Sequence, residues 1–168
     1  MEQKNEKTNS YLTFKLGEEE FGVHVSQVIN ILEMTRIIEV PRTPSYMKGV
    51  INLRGTALPV IDTRLRLGLE EAKYSHNTCI VVLDLEHQGE TYHVGAIVDE
   101  VLSVVEIEAG QVEPPPAIGD EKGPDFIFGM TRIDDRFTML LDMQGMMDER
   151  EMEKISQAAG ERQSKVAS

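Results

Sequence analysis

Residues 48–69 read KGVINLRGTALPVIDTRLRLGL, and the reading of this stretch decides the fold. Two short apolar runs, GVINL and ALPVID, flank Arg54-Gly55. β-Branched and aliphatic residues dominate both runs, so each is expected to be a strand. A two-residue link ending in glycine suits a tight hairpin, because glycine takes positive φ at low cost. Asp62 stands where a helix would start, with a carboxylate able to accept from the free N–H groups of the first turn. Leu65 and Leu67 follow, and Gly68 can end the turn. The unit is hairpin, cap, short helix, with Arg54 at its exposed tip.

The unit occurs twice. When Gly49 is laid on Gly129, Val50 falls on Met130, Leu53 on Ile133, Val60 and Ile61 on Leu140 and Leu141, and Asp62 on Asp142, with no gap. An earlier pair matches in the same way. FGVHVSQVINI (21–31) lies over VGAIVDEVLSV (94–104), with Gly22 on Gly95, Ser26 on Asp99, Val28 on Val101 and Ile31 on Val104. Two related β subdomains are expected, each too small to bury a good core alone and therefore packed on the other.

Length and composition narrow the function. At 168 residues the chain is one domain or two small fused halves. Its net charge of −12 opposes binding to nucleic-acid backbones and anionic lipid, and 5% aromatics offers few stacking platforms for bases. One cysteine, Cys79, excludes an internal disulfide and any multi-cysteine metal site. The first ten residues, MEQKNEKTNS, are polar and lack the apolar core of a signal peptide. No run approaches the roughly 20 apolar residues that span a bilayer. A soluble protein that inserts in no membrane and binds no nucleic acid is expected.

Along the chain, residues 1–10 are expected to be disordered. Leu12, Phe14 and Leu16 alternate on one strand face, as do Phe21, Val23 and Val25 on the next. Ser26 is expected to cap a short helix carrying Val28, Ile29, Ile31 and Leu32, more apolar surface than one core-facing stripe needs. Arg36 to Val40 is read as a strand, and Thr43-Pro44 as a helix start. A polar link, 70–77, marks the expected boundary between subdomain one (about 11–75) and subdomain two (about 76–147), with exchange of end strands allowed. TCIVVLDL (78–85) suits a strand buried on both sides, and Asp99 a cap. A proline-rich loop, 108–125, precedes the second hairpin, Phe126 to Leu141, and Asp142 repeats the cap. A C-terminal helix over about 148–160 carries Met152, Ile155 and Ala159 as one stripe, and 161–168 is a polar tail expected to be disordered.

A search for reactive constellations returns little. G-x-S-x-G, H-E-x-x-H, phosphate-loop and dinucleotide glycine motifs are absent. His24, His76, His87 and His93 show no ligand spacing and are read as surface residues. Cys79 heads a buried strand and reads as a small core residue rather than a nucleophile. Asp62, Asp99 and Asp142 each follow an apolar strand, so capping is preferred to an acid cluster. Arg54 is either simply solvated or a charge-assisted contact to a partner carboxylate or backbone.

At this point the hub becomes specific. GVINLRG, then P-V-I-D and Arg64, resembles the signature of CheW, the bacterial chemotaxis coupling proteins. The likeness extends through LGEEEFGVHVSQV, VPRTPSYMKG, VGAIVDEVLSV and the terminal LLDMQGMMDEREME, most of the chain. The resemblance implies a mainly β fold: two pseudo-repeated five-stranded SH3-like β-barrel subdomains packed together, with short helices and a C-terminal helix. It implies no catalysis, no cofactor and no metal. It implies an adaptor joining chemoreceptor cytoplasmic tips to the regulatory domain of the histidine kinase CheA, cytoplasmic and gathered at receptor arrays through its partners. The groove between subdomains would take the receptor tip through Val28, Asn30, Ile31, Gly49, Asn52, Arg54, Cys79 and Val104. One face of the first barrel would meet the kinase through Arg36, Ile38, Val40, Thr56 and Leu58. Two departures stand out: Asn30 replaces a glutamate that many members carry, and Asp62-Thr63-Arg64 replaces Asp-Leu-Arg. A fused C-terminal receiver domain, as in the adaptor–receiver relatives, is not expected.

Overall fold

The structure, a computed structural model, describes residues 9–115 and 126–147, together with Arg150. The hub folds as read. Strand β4 (Met47–Leu53) and strand β5 (Thr56–Asp62) pair antiparallel across Arg54-Gly55. Both turn residues have positive φ, +54° and +85°, the twist that a two-residue hairpin demands. Asp62 accepts from the Leu65 N–H at 3.3 Å and starts helix α1 (Thr63–Arg66).

Eight more strands complete the fold: β1 (Ser10–Leu16), β2 (Glu19–His24), β3 (Val28–Glu33), β6 (Cys79–His87), β7 (Glu90–Val98), β8 (Glu100–Glu106), β9 (Ile127–Ile133) and β10 (Arg136–Leu141). A second short helix, α2 (Met143–Met146), is started by Asp142, which accepts from the Gln144 N–H at 3.1 Å. The strands form two five-stranded sheets, ordered β8-β1-β2-β10-β9 and β3-β6-β7-β5-β4. Each sheet curls toward a barrel without closing. A single bridge, Ile38 to Val50, returns the chain beyond β3 to edge strand β4, and Glu113 to Met130 does the same for β8 and β9.

The repeat is visible in the hydrogen bonds. Asp62 N–H donates to Tyr46 O and Asp142 N–H to Phe126 O, both at 2.7 Å and at equivalent places in the two units. Parallel pairs couple Val60 to Gly95 and Leu140 to Gly22, again equivalent positions. These parallel pairs cross between the halves: β1–β2 completes the sheet of β8, β9 and β10, while β6–β7 completes the sheet of β3, β4 and β5. A cut at residue 75 therefore separates the repeats but not the sheets. The largest core cluster lies between the sheets, joining Leu12, Phe14, Phe21, Val23 and Leu141 of one to Ile61, Leu83 and Val94 of the other. Smaller clusters fill each sheet's own concavity, Ile51, Leu58, Val60 and Ile80 in one and Tyr11, Ile107 and Leu140 in the other.

Several local expectations change. Val28 to Glu33 is strand β3, not helix; β-branched side chains and the available edge of β6 outweigh the helical spacing. Only a 3₁₀ turn, Val25–Gln27, precedes it, capped by the His24 imidazole rather than by Ser26. Arg36 to Val40 contributes just the Ile38 bridge, and turns replace a helix at Thr43-Pro44. Asp99 starts no helix. His87 is the last residue of β6 and is buried beside Tyr92, not on the surface. The expected helix over 148–160, the tail beyond it and residues 1–8 lie outside the described residues, Arg150 excepted; Ser10 already belongs to β1.

Candidate docking surface

Strands β3 and β8 are the outer edges of their sheets and occupy equivalent places in the repeat. Each turns two aliphatic side chains to solvent: Ile29 (48% exposed) and Ile31 (43%) on β3, Leu102 (38%) and Val104 (59%) on β8. Aliphatic side chains left outward on two such edges are the surface that an apolar partner covers. The extra residue Ile29 arises from a bulge between Val28 and Asn30, opposite Leu83 and Val82. Asn30 is exposed, and its Oδ1 accepts from the next N–H, that of Ile31, at 2.8 Å.

Cys79 lies between the two edges. It pairs with Glu33 at the end of β3, and its thiol lies near Val101 and Glu100 of β8. Burial pushes the thiol pKa up, the Val101 main chain opposes this, and Glu100 adds to the rise. A protonated thiol at neutral pH is a poor nucleophile. Val28, Asn30 and Ile31 thus lie on β3, Cys79 at the start of its neighbour β6, and Val104 on β8.

The remaining three expected receptor-groove residues belong to the β4–β5 hairpin, at the other edge of the second sheet. Asn52 stabilises the turn, its Oδ1 accepting from the Gly55 N–H at 2.8 Å. Gly49 is buried with φ +142°, and a Cβ there would lie 2.0 Å from the Ile38 carbonyl oxygen. Its role is to let the Ile38 segment approach β4, which no side chain permits. Arg54 is exposed at the tip and has no hydrogen bond or ion pair among the described residues.

The Ile38 bridge sets the expected kinase residues beside this hairpin. Arg36, Thr56 and Ile38 (43% exposed) are open to solvent and Val40 is half-buried. Leu58 is 3% exposed and packs on Ile51, Val60 and Ile80, so it supports the hairpin from beneath and offers no surface. Leu58 and Val60 stand two apart and share the inward face of β5. The resemblance did not carry Ile29 and Leu102 into the expected groove. The superposition of 21–31 on 94–104, which lays Ile29 on Leu102, was the signal that could have found both.

Among the described residues, no group of three or more His, Cys, Asp or Glu side chains could hold a metal ion, and no helix is long and apolar enough to cross a membrane. Asp62 and Asp142 cap helices, while Asp99 accepts from Gly17 and Arg64.

The family model of the CheW-like domain matches residues 10–151. The chain belongs to the CheW-like domain family. A chemotaxis protein CheW from Klebsiella aerogenes is 30% identical over 149 residues, 89% of this chain and 87% of that protein. A probable chemotaxis protein CheW from Rhizobium etli is 32% identical over 149 residues, 89% of this chain and 94% of that one. The crystal structure of the scaffolding protein TtCheW from Thermoanaerobacter tengcongensis superposes with a TM-score of 0.74 at 28% identity, covering 86% of this chain and 97% of its own. This CheW-like chain therefore shares with that scaffold the whole two-sheet architecture.

Proposed function

We propose that this chain is a non-enzymatic chemotaxis adaptor that couples chemoreceptors to a CheA-type histidine kinase. The observation that carries the proposal is the pair of repeat-equivalent edge strands whose Ile29, Ile31, Leu102 and Val104 face solvent around Cys79. A receptor's helical tip, laid in this cleft, would cover those aliphatics, with affinity from apolar burial and register from the polar groups around it. The kinase regulatory domain would meet the hairpin side through Arg36, Ile38, Val40 and Thr56, and Arg54 at the tip would make a charge-assisted contact to the receptor. Modest single contacts suffice, because linkage within an array raises effective concentration. The protein would then be cytoplasmic and drawn to receptor arrays by its partners.

The test is reconstitution with CheA and receptor cytoplasmic fragments, following kinase autophosphorylation. Receptor control of the kinase is expected to require this chain. It should be lost in Ile31→Ser/Val104→Ser with kinase binding retained, and Arg54→Ala should weaken coupling without unfolding the protein. Absence of binding to both components would overturn the proposal.

A further inference from the structure

Asp99 lies at the point where the chain leaves the second sheet for the first, between β7 and β8. It is gripped from three directions. Its N–H donates to the Lys15 carbonyl at 3.0 Å. Its Oδ2 accepts from the Gly17 N–H in the β1–β2 turn at 2.6 Å and from Arg64 Nη1 at 2.6 Å. Arg64 in turn belongs to α1, immediately after β5, and its Nε donates to Glu70 O at 2.7 Å. One carboxylate therefore ties a loop of the first sheet to a helix of the second. Both side chains are largely sheltered, so solvent screens the pair less than it would a surface pair.

The repeat makes this feature specific. The position equivalent to Arg64 is Gln144, which joins the sheets by neutral bonds to the Glu86 main chain, N–H and carbonyl both at 2.7 Å. The position equivalent to Asp99 is Ser26, which has no carboxylate to offer. The ionic version stands only beside the cleft. Just past Asp99, Glu100 and Val101 lie beside the Cys79 thiol; Leu102 and Val104 follow on the same strand.

We propose that Arg64 and Asp99 are positioning residues of the docking cleft: their ion pair seats the start of β8 against Cys79 and connects it, through α1, to the β4–β5 hairpin. With the pair intact, Leu102 and Val104 are held at a fixed spacing from Ile31. With it broken, the start of β8 keeps its pairing and packing on β1 but loses its tie to α1. A displacement of the hairpin by a bound partner is transmitted through the intact pair to the opposite cleft edge. This last step rests on the two-surface reading of the proposed function; the seating of β8 does not.

Cys79, the chain's one cysteine, reports on the seating directly. The full-length chain is reacted with Ellman's reagent under native conditions, as wild type, Arg64→Gln, Asp99→Asn, the double variant, and Met146→Ala. The last removes a buried side chain at the other helix and controls for general destabilisation. Arg64→Gln and Asp99→Asn should each accelerate labelling about tenfold, the factor that one charge-assisted hydrogen bond supplies. The double variant should react no faster than either, and Arg64→Lys should restore part of the protection. Unchanged labelling in both single variants, or equal acceleration in Met146→Ala at matched stability, overturns the assignment. In a second arm, the kinase regulatory domain is added. A labelling rate that changes in wild type but not in Arg64→Gln supports transmission, and binding without any change refutes it. No binding at all refutes the proposed function and leaves the first arm standing on its own result.

Discussion

Replacing Gly49 by alanine places a Cβ 2.0 Å from the Ile38 oxygen and 2.8 Å from the Ile38 carbonyl carbon. Backbone cannot retreat like a side-chain tip, so the Ile38 segment must lift away from β4. Two hydrogen bonds go with it, Ile38 N–H to Val50 O at 2.8 Å and Val50 N–H to Ile38 O at 2.9 Å. At about 1 kcal/mol net each they cost about 2 kcal/mol. The φ of +142° adds about 1–2 kcal/mol for an L side chain, offset by about 0.5 kcal/mol from a stiffer unfolded chain. A net loss of about 3 kcal/mol is expected, read as a lowered urea midpoint at unchanged slope. The repeat and the hairpin tip supply two controls. Gly129→Ala at the equivalent site meets the Val112 Cγ1 at 2.6 Å, a side chain, and the Glu113 oxygen only at 3.1 Å, so it should lose less, about 1–2 kcal/mol. Gly55→Ala meets nothing within 4 Å and suffers only from its φ of +85°, about 1 kcal/mol. A loss below about 1 kcal/mol at Gly49, or a ranking with Gly55 above Gly49, would refute the close-approach argument.

Leu58→Ala should lower stability by about 2–5 kcal/mol, because it empties part of a closed core, whereas Ile38→Ser at the half-exposed bridge should cost less and act on kinase binding instead. Urea melts and a pull-down with the kinase regulatory domain separate the two; equal stability losses would contradict the assigned burial. Burial raises the Asp62 pKa above its ordinary 3.8, against the Leu65 hydrogen bond and the Lys48 charge. The folded state therefore holds this proton more tightly than the unfolded chain does. Its contribution is present below the unfolded pKa and is lost as pH rises through the folded value. Relative to Asp62→Asn, wild-type stability should fall as pH increases across that interval and then level off. A difference that grows with pH in urea titrations run upward from the acid side would reverse the sign and sink the account.

Some of the site was legible before any coordinates. Arg54-Gly55, Asp62 and the matching Asp142 are short-range features, and the backbone preferences of glycine, aspartate and β-branched residues act within a few positions. The same holds for the alternation that buries Phe14, Val23 and Val60. Ile31 and Val104 were legible through the repeat and the family likeness. Leu58 was misjudged because it shares a face of β5 with Thr56. Alternation assigns the face and not the depth: Thr56 stands at the exposed turn end of the hairpin, while Leu58 is already roofed by Ile51 and Ile80.

The chain by itself determined the hairpins, the caps, the twofold repetition and the shortage of reactive groups, because each is written in residues a few places apart. Only the tertiary structure decided that β1–β2 and β6–β7 change places between the sheets, that Val28 to Glu33 is an edge strand rather than a helix, and that Asp99 grips Arg64 instead of capping. The reason is common to all three. Each depends on which distant apolar face or charged group lies opposite, and in pairs such as Val60 with Gly95 or Leu140 with Gly22 that choice is made by shared burial between the sheets, not by the residues next along the chain.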